Sequence, residues 1–113
     1  MDDKPKVIAI RVEQSGVKDQ FDFTYTPTTV HLSAGRRVSF GIEKGIVESL
    51  LLVFDESPFQ SGERDVEVTA GHPKAETIGG AKGVFHYKAL GHAKVDGKSK
   101  LVYDIWCPSI IVD

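Results

Sequence analysis

The chain has 113 residues, 41% hydrophobic and 27% charged, and 14 Lys and Arg against 16 Asp and Glu give a formal net charge of −2. This is enough chain for one domain with its own core, and the balance is that of a globular chain and not a disordered one. Its cations are scattered rather than striped, which argues against nucleic acid or an anionic membrane as a partner.

Other classes fall to the same first reading. The longest apolar run, residues 50–54, is far below a membrane span. The first six residues run into an alternating segment with no apolar stretch or cleavage site of a signal peptide. Cytoplasmic residence is therefore expected, or periplasmic residence if an export signal has been removed. Cys107 is the only cysteine, so no intrachain disulfide can form.

Period-2 alternation then predicts strands along the whole chain. Residues 7–13 put Ile8, Ile10 and Val12 on one face of a first strand, and residues 14–20 form a loop around Ser15-Gly16. Phe21, Phe23 and Tyr25 alternate with Asp22 and Thr24. After a Pro27 turn, Val30 and Leu32 alternate with His31 and Ser33. After Ala34-Gly35-Arg36, Val38, Phe40 and Ile42 alternate with Arg37, Ser39 and Glu43. These three segments read as half-buried antiparallel strands.

The continuous apolar run in residues 49–54 suits a strand covered on both faces. A loop follows at residues 55–63, then a strand in which Val66, Val68 and Ala70 alternate with Asp65, Glu67 and Thr69. Residues 71–83 hold four glycines and a proline and read as the longest mobile connection. A seventh strand covers residues 84–90. Asp96-Gly97 is a hairpin signal, and it leads into an eighth strand at residues 100–106. There Leu101, Tyr103 and Ile105 share one face, with Val102 and Trp106 on the other. Pro108 precedes a short terminal strand, residues 109–112. The expected fold is a single all-β domain over residues 1–113, a Greek-key sandwich of seven to eight strands.

The order Phe23-x-x-x-Pro27-x-x-Val30-x-Leu32-x-Ala34-Gly35-x-x-Val38-x-Phe40, then Leu52-Val53-Phe54-Asp55-Glu56, Pro58 with Ser61-Gly62, and Gly83-x-Phe85-x-Tyr87, resembles the cupredoxins. The resemblance covers about residues 21–92 and implies a copper-protein scaffold. It does not carry the copper ligands with it. The position of the first histidine falls on Leu50, that of the cysteine near Ala89 and that of the methionine near Asp96-Gly97, and only His92 matches. A type 1 site needs a thiolate and two imidazoles. No such centre, and no cofactor, is expected.

Other chemistry is sparse. His86, His92 and His72 are the candidate ligands of a non-blue copper or zinc site, with His31 as a further imidazole; a structural zinc site needs four ligands. Residues 79–83, Gly-Gly-Ala-Lys-Gly, lack the ending and the following helix of a phosphate loop. Cys107 has no basic neighbour to activate it, and no Gly-x-Ser-x-Gly nucleophile motif occurs. The expected role is non-enzymatic: a binding or interaction module with a protein or small-molecule partner. Its working surface is expected on loops at one sandwich end, formed by Gly45, Ile46, Val47 and Glu48 with Leu90, Gly91 and His92 on to Lys94.

Overall fold

Alternation is realised as strand almost everywhere it occurs. The computed structural model describes residues 4–16, 20–43, 45–104 and 108–113. Among these, ten strands follow one another: β1 Lys6–Gln14, β2 Phe21–Thr26, β3 Thr29–Leu32, β4 Arg37–Ile42, β5 Val47–Phe54, β6 Asp65–Thr69, β7 Lys74–Thr77, β8 Gly83–Val95, β9 Lys98–Tyr103 and β10 Ser109–Val112. The fold is all-β. One sheet has the order β2-β1-β4-β7, and a second has the order β3-β10-β8-β5-β6 with β9 also paired to β8. The long β8 takes β10 along its first half and β9 along its second.

The strands that look alike in sequence do not pair with each other. β2 pairs antiparallel with β1, and β4 runs parallel to β1. β3 crosses to the other sheet and runs parallel to β10. The expectation of antiparallel strands holds for β2, holds for β4 only on its β7 side, and is corrected for β3, whose one partner runs parallel among the described residues. Alternation fixes which residues share a face, and says nothing about which strand lies alongside.

Two further expectations change. Residues 71–83 are not one mobile connection, because β7 forms inside them and pairs with β4 from Arg37↔Thr77 to Phe40↔Lys74. Ile78 anchors its end at 1% exposure, and its backbone bonds to Arg36 and Gly35. The seventh strand does not stop at Leu90 but continues to Val95, where Asp96 (φ 51°) and Gly97 (φ 76°) make the two-residue turn into β9. Both turn residues have the positive φ that this hairpin needs. Ile105, Trp106 and Cys107 lie outside the described residues.

β5 begins earlier than its apolar run. Val47 and Leu50 are both buried although they are three residues apart, which a regular strand forbids. A register shift between them against β8 supplies the extra residue and resets the parity, leaving Glu48 and Ser49 outside. Gly91 sits opposite this bulge. A Cβ there would run into the carbonyl oxygen of Ser49 and into the Leu50 side chain at 2.9 Å.

The two inner faces meet in an aromatic cluster. Phe40 of β4 packs edge-on to Phe54 of β5 (6.3 Å between centroids), Tyr87 of β8 (5.9 Å) and Phe59 from the 55–63 loop (6.2 Å). Phe54 lies 4.8 Å from Tyr87 and 4.9 Å from Phe59. Tyr25 of β2 joins through Tyr87 at 5.8 Å. Phe23 is only half-buried because β2 is an edge strand.

Phe40 is fully buried, so Phe40→Ala is expected to cost about 3–5 kcal/mol in chemical unfolding; a loss under about 1 kcal/mol would contradict the packing. Gly91→Ala is expected to cost about 1–3 kcal/mol through overpacking against backbone that cannot move aside, read in the same titration.

Candidate functional site

β8 displays the candidate residues. Phe85, Tyr87, Ala89 and Ala93 point inward and are buried, while Val84, His86, Lys88, Leu90, His92 and Lys94 point outward. The two histidines therefore share the outer face, but six residues of strand separate them by about 20 Å. His72 lies in the turn after β6, its amide bonded to the Thr69 carbonyl, and His31 lies on β3 with Nδ1 3.8 Å from the Asp113 carboxylate. No group of three or more His, Cys, Asp or Glu that could hold a metal occurs among the described residues. Of the positions that the cupredoxin resemblance assigns to ligands, two lie on the paired strands β5 and β8, diagonal to each other on the same face, and the histidine lies on the other face. Leu50 and Ala89 face the core at 1% and 0% exposure, and His92 faces the opposite side of the sheet.

The two segments expected as loops do converge, but as strand. Val47 pairs with Ala93, Leu50 pairs with Gly91, and the Lys94 amide donates to the Ile46 carbonyl at 3.1 Å. Val47 is 2% exposed and unavailable to a partner. Gly91 packs against β5, and Glu48 meets Lys94 at 3.7 Å. Of the expected surface, Gly45, Glu48, Leu90, His92 and Lys94 stay exposed, the last three inside β8 rather than on a loop. The strand carries on because glycine at 91 lets it pass close to β5 and the turn waits until Asp96.

Around Leu90 the sheet presents a stripe that belongs to no core. Across β9, β8, β5 and β6 one row reads Tyr103, Leu90, Leu51, Glu67, and the next reads Lys88, Val53, Asp65. Leu101 stands beside His92 on β9. Leu101 is 63% exposed, Tyr103 62% and Leu90 38%, while Leu51 and Val53 are half-buried. Lys88 on one flank and Asp65 and Glu67 on the other are exposed and make no ion pair among the described residues. The stripe is thus apolar in the middle, basic on one side and acidic on the other.

A second feature is internal. Asp104, directly after β9, is 6% exposed and accepts a hydrogen bond from Tyr25 Oη at 2.6 Å, which ties the edge of one sheet to the other. Its amide donates to the Ala89 carbonyl. The signal for its burial was in the sequence: Asp104 shares its parity with Val102, the inward residue of β9. Nearby, the Tyr87 hydroxyl is buried without a hydrogen-bond partner among the described residues. Burial first, and the Asp104 charge second, push the Tyr87 phenol well above its ordinary value.

A cleft of about 440 Å³ runs along β3 between Pro27 and Ser33, with Lys6 and Arg36 on its wall. Compared with known proteins, the chain matches no protein-family model and no curated protein.

The raised Tyr87 phenol fixes a pH dependence. The folded state holds the proton more tightly than the unfolded chain, whose phenol ionises near 10.0. Its contribution is fully present below that pH and is lost as pH rises above it. Tyr87→Phe is expected to be close to neutral at pH 7, since the hydroxyl it removes is unbonded, and to flatten the alkaline loss of stability. An unchanged alkaline limb in denaturant titrations across pH would contradict this.

Proposed function

We propose that the protein is a non-enzymatic interaction module, built on a cupredoxin-like Greek-key sandwich without a type 1 copper site, and that it pairs with a second copy of itself through the outer stripe of β9, β8 and β5. One observation carries this reading: Tyr103, Leu101 and Leu90 form a continuous apolar stripe on a sheet face that nothing among the described residues covers. Contiguous exposed apolar surface is typical of interaction sites rather than of free surface.

The flanking charges select the partner. In a two-fold pair the same patch meets itself. With the axis lying along the strands between β8 and β5, each copy sets its basic flank over the other's acidic flank. Lys88 then approaches Asp65 and Glu67 of the second copy, and the Tyr103 hydroxyl is offered to Glu67. The leucines close on each other at the centre, where burial supplies the affinity, and the rim charges fix orientation. Leu50 and Ala89, apolar and buried where a copper protein has ligands, fit a scaffold kept for its surfaces.

Sedimentation equilibrium tests the reading. The wild-type protein is expected to form a dimer that weakens with salt. Leu101→Asp/Tyr103→Asp is expected to be monomeric with an unchanged melting temperature, because both side chains are mostly exposed. Lys88→Glu is expected to weaken the dimer, and adding Asp65→Lys/Glu67→Lys to restore it. A wild-type monomer at every concentration, or a dimer indifferent to these changes, would overturn it.

A further inference from the structure

A sheet edge is an open row of backbone donors and acceptors, and proteins guard such rows with charge. Of the five edge strands among the described residues, four are guarded in this way: β2 carries Asp22, β6 carries Asp65 and Glu67, β7 carries Lys74 and Glu76, and β9 carries Lys98 and Lys100. β3, Thr29-Val30-His31-Leu32, has no Lys, Arg, Asp, Glu or Pro. Its inner residues Val30 and Leu32 are buried, so the strand is held firmly in place while its edge is bare.

The direction of that edge follows from the hydrogen bonds on its other side. The Ser109 amide donates to the Thr28 carbonyl and the Asp113 amide to the Leu32 carbonyl, both at 3.1 Å. The even-numbered residues of β3 therefore turn their backbone groups to β10. Successive residues alternate, so the N–H and C=O of Thr29 and His31 face away from β10, where no strand pairs among the described residues. The 440 Å³ cleft runs along this side. Lys6 and Arg36 line it, and neither makes an ion pair among the described residues. The Asp113 carboxylate, 3.8 Å from His31 Nδ1, is 66% exposed.

We propose that the free edge of β3 is a docking site for an extended acidic peptide segment, which adds to the sheet as a further strand. The Thr29 and His31 backbone groups bond its main chain, and the ammonium of Lys6 and the guanidinium of Arg36 take its carboxylates. Strand addition of this kind draws affinity from main-chain bonds and selectivity from the side chains beside them. The charges choose against the other obvious occupant: pairing β3 with β3 of a second copy brings two Lys6–Arg36 pairs together, and like charges oppose it. The outer stripe of β8 and β9 plays no part in this site, so the two proposals stand or fall separately.

The test uses fluorescein-labelled six-residue peptides against the full chain, read by anisotropy. A peptide alternating valine and glutamate is expected to bind saturably, and one alternating valine and lysine is not. N-methylation of the alternate amides of the valine–glutamate peptide is expected to abolish binding, since it removes the ladder while keeping the charge. Lys6→Glu/Arg36→Glu is expected to weaken binding by about tenfold or more. His31→Pro removes an edge N–H without touching the β10 ladder and is expected to block the site; a peptide response that survives in a folded His31→Pro variant would count against strand addition. Amide resonances of Thr29 and His31 are expected to shift on titration. No saturable binding of the valine–glutamate peptide would overturn the proposal. So would equal binding of its N-methylated form, which would mean ion attraction alone, or β3-edge self-pairing in place of peptide binding.

Discussion

The contact between Phe40 of one sheet and Phe54 and Tyr87 of the other is the constraint on which the rest depends. Three large rings from three strands, joined by Phe59 from a loop, fill the space between the sheets. Edge-to-face packing adds to the area that each ring buries. Once the inner faces are committed to this cluster, the parity of every strand is set, because a slip by one residue would turn the ring outward. Whatever apolar residues then fall on the outer faces are surplus to the core. Leu51, Leu90, Leu101 and Tyr103 are the part of that surplus that gathers in one place, while Val7 on β1 and Val84 at the start of β8 stand apart from it.

The same commitment explains the two devices beside the stripe. Val47 and Leu50 can both reach the core only because the bulge between them absorbs the odd spacing. The bulge brings β5 close to β8, and glycine at 91 is what lets the strands pass. Asp104 is the polar counterpart. Its hydrogen bond from Tyr25 ties the β2 edge to the opposite sheet, and its charge lies near the unbonded Tyr87 hydroxyl. A buried carboxylate of this kind serves specificity of alignment better than net stability.

The all-β class, the strand faces and the Asp96-Gly97 turn were legible because alternation and turn chemistry are local. Strand partners were not, since β3 finds β10 across most of the chain and nothing local records it. β7 was hidden by its glycine-rich surroundings and single apolar anchor, Ile78. The site was half legible. Leu90 and His92 were singled out, but as loop residues, because the sequence gives no sign that β8 runs through Gly91. Leu101-Val102-Tyr103 is apolar on both faces, so parity alone does not say which side meets solvent, and the structure puts Val102 inside. The bare edge of β3 needed the topology before it meant anything.

Amide NMR spectra across a dilution series show whether the surplus apolar stripe, proposed as a working surface, meets its own copy. Concentration-dependent shifts are expected, confined to Leu51, Lys88, Leu90, Leu101, Tyr103 and the acidic residues of β6, with β2 and β7 unmoved. Spectra that do not change on dilution, or that change only away from this stripe, would contradict self-pairing.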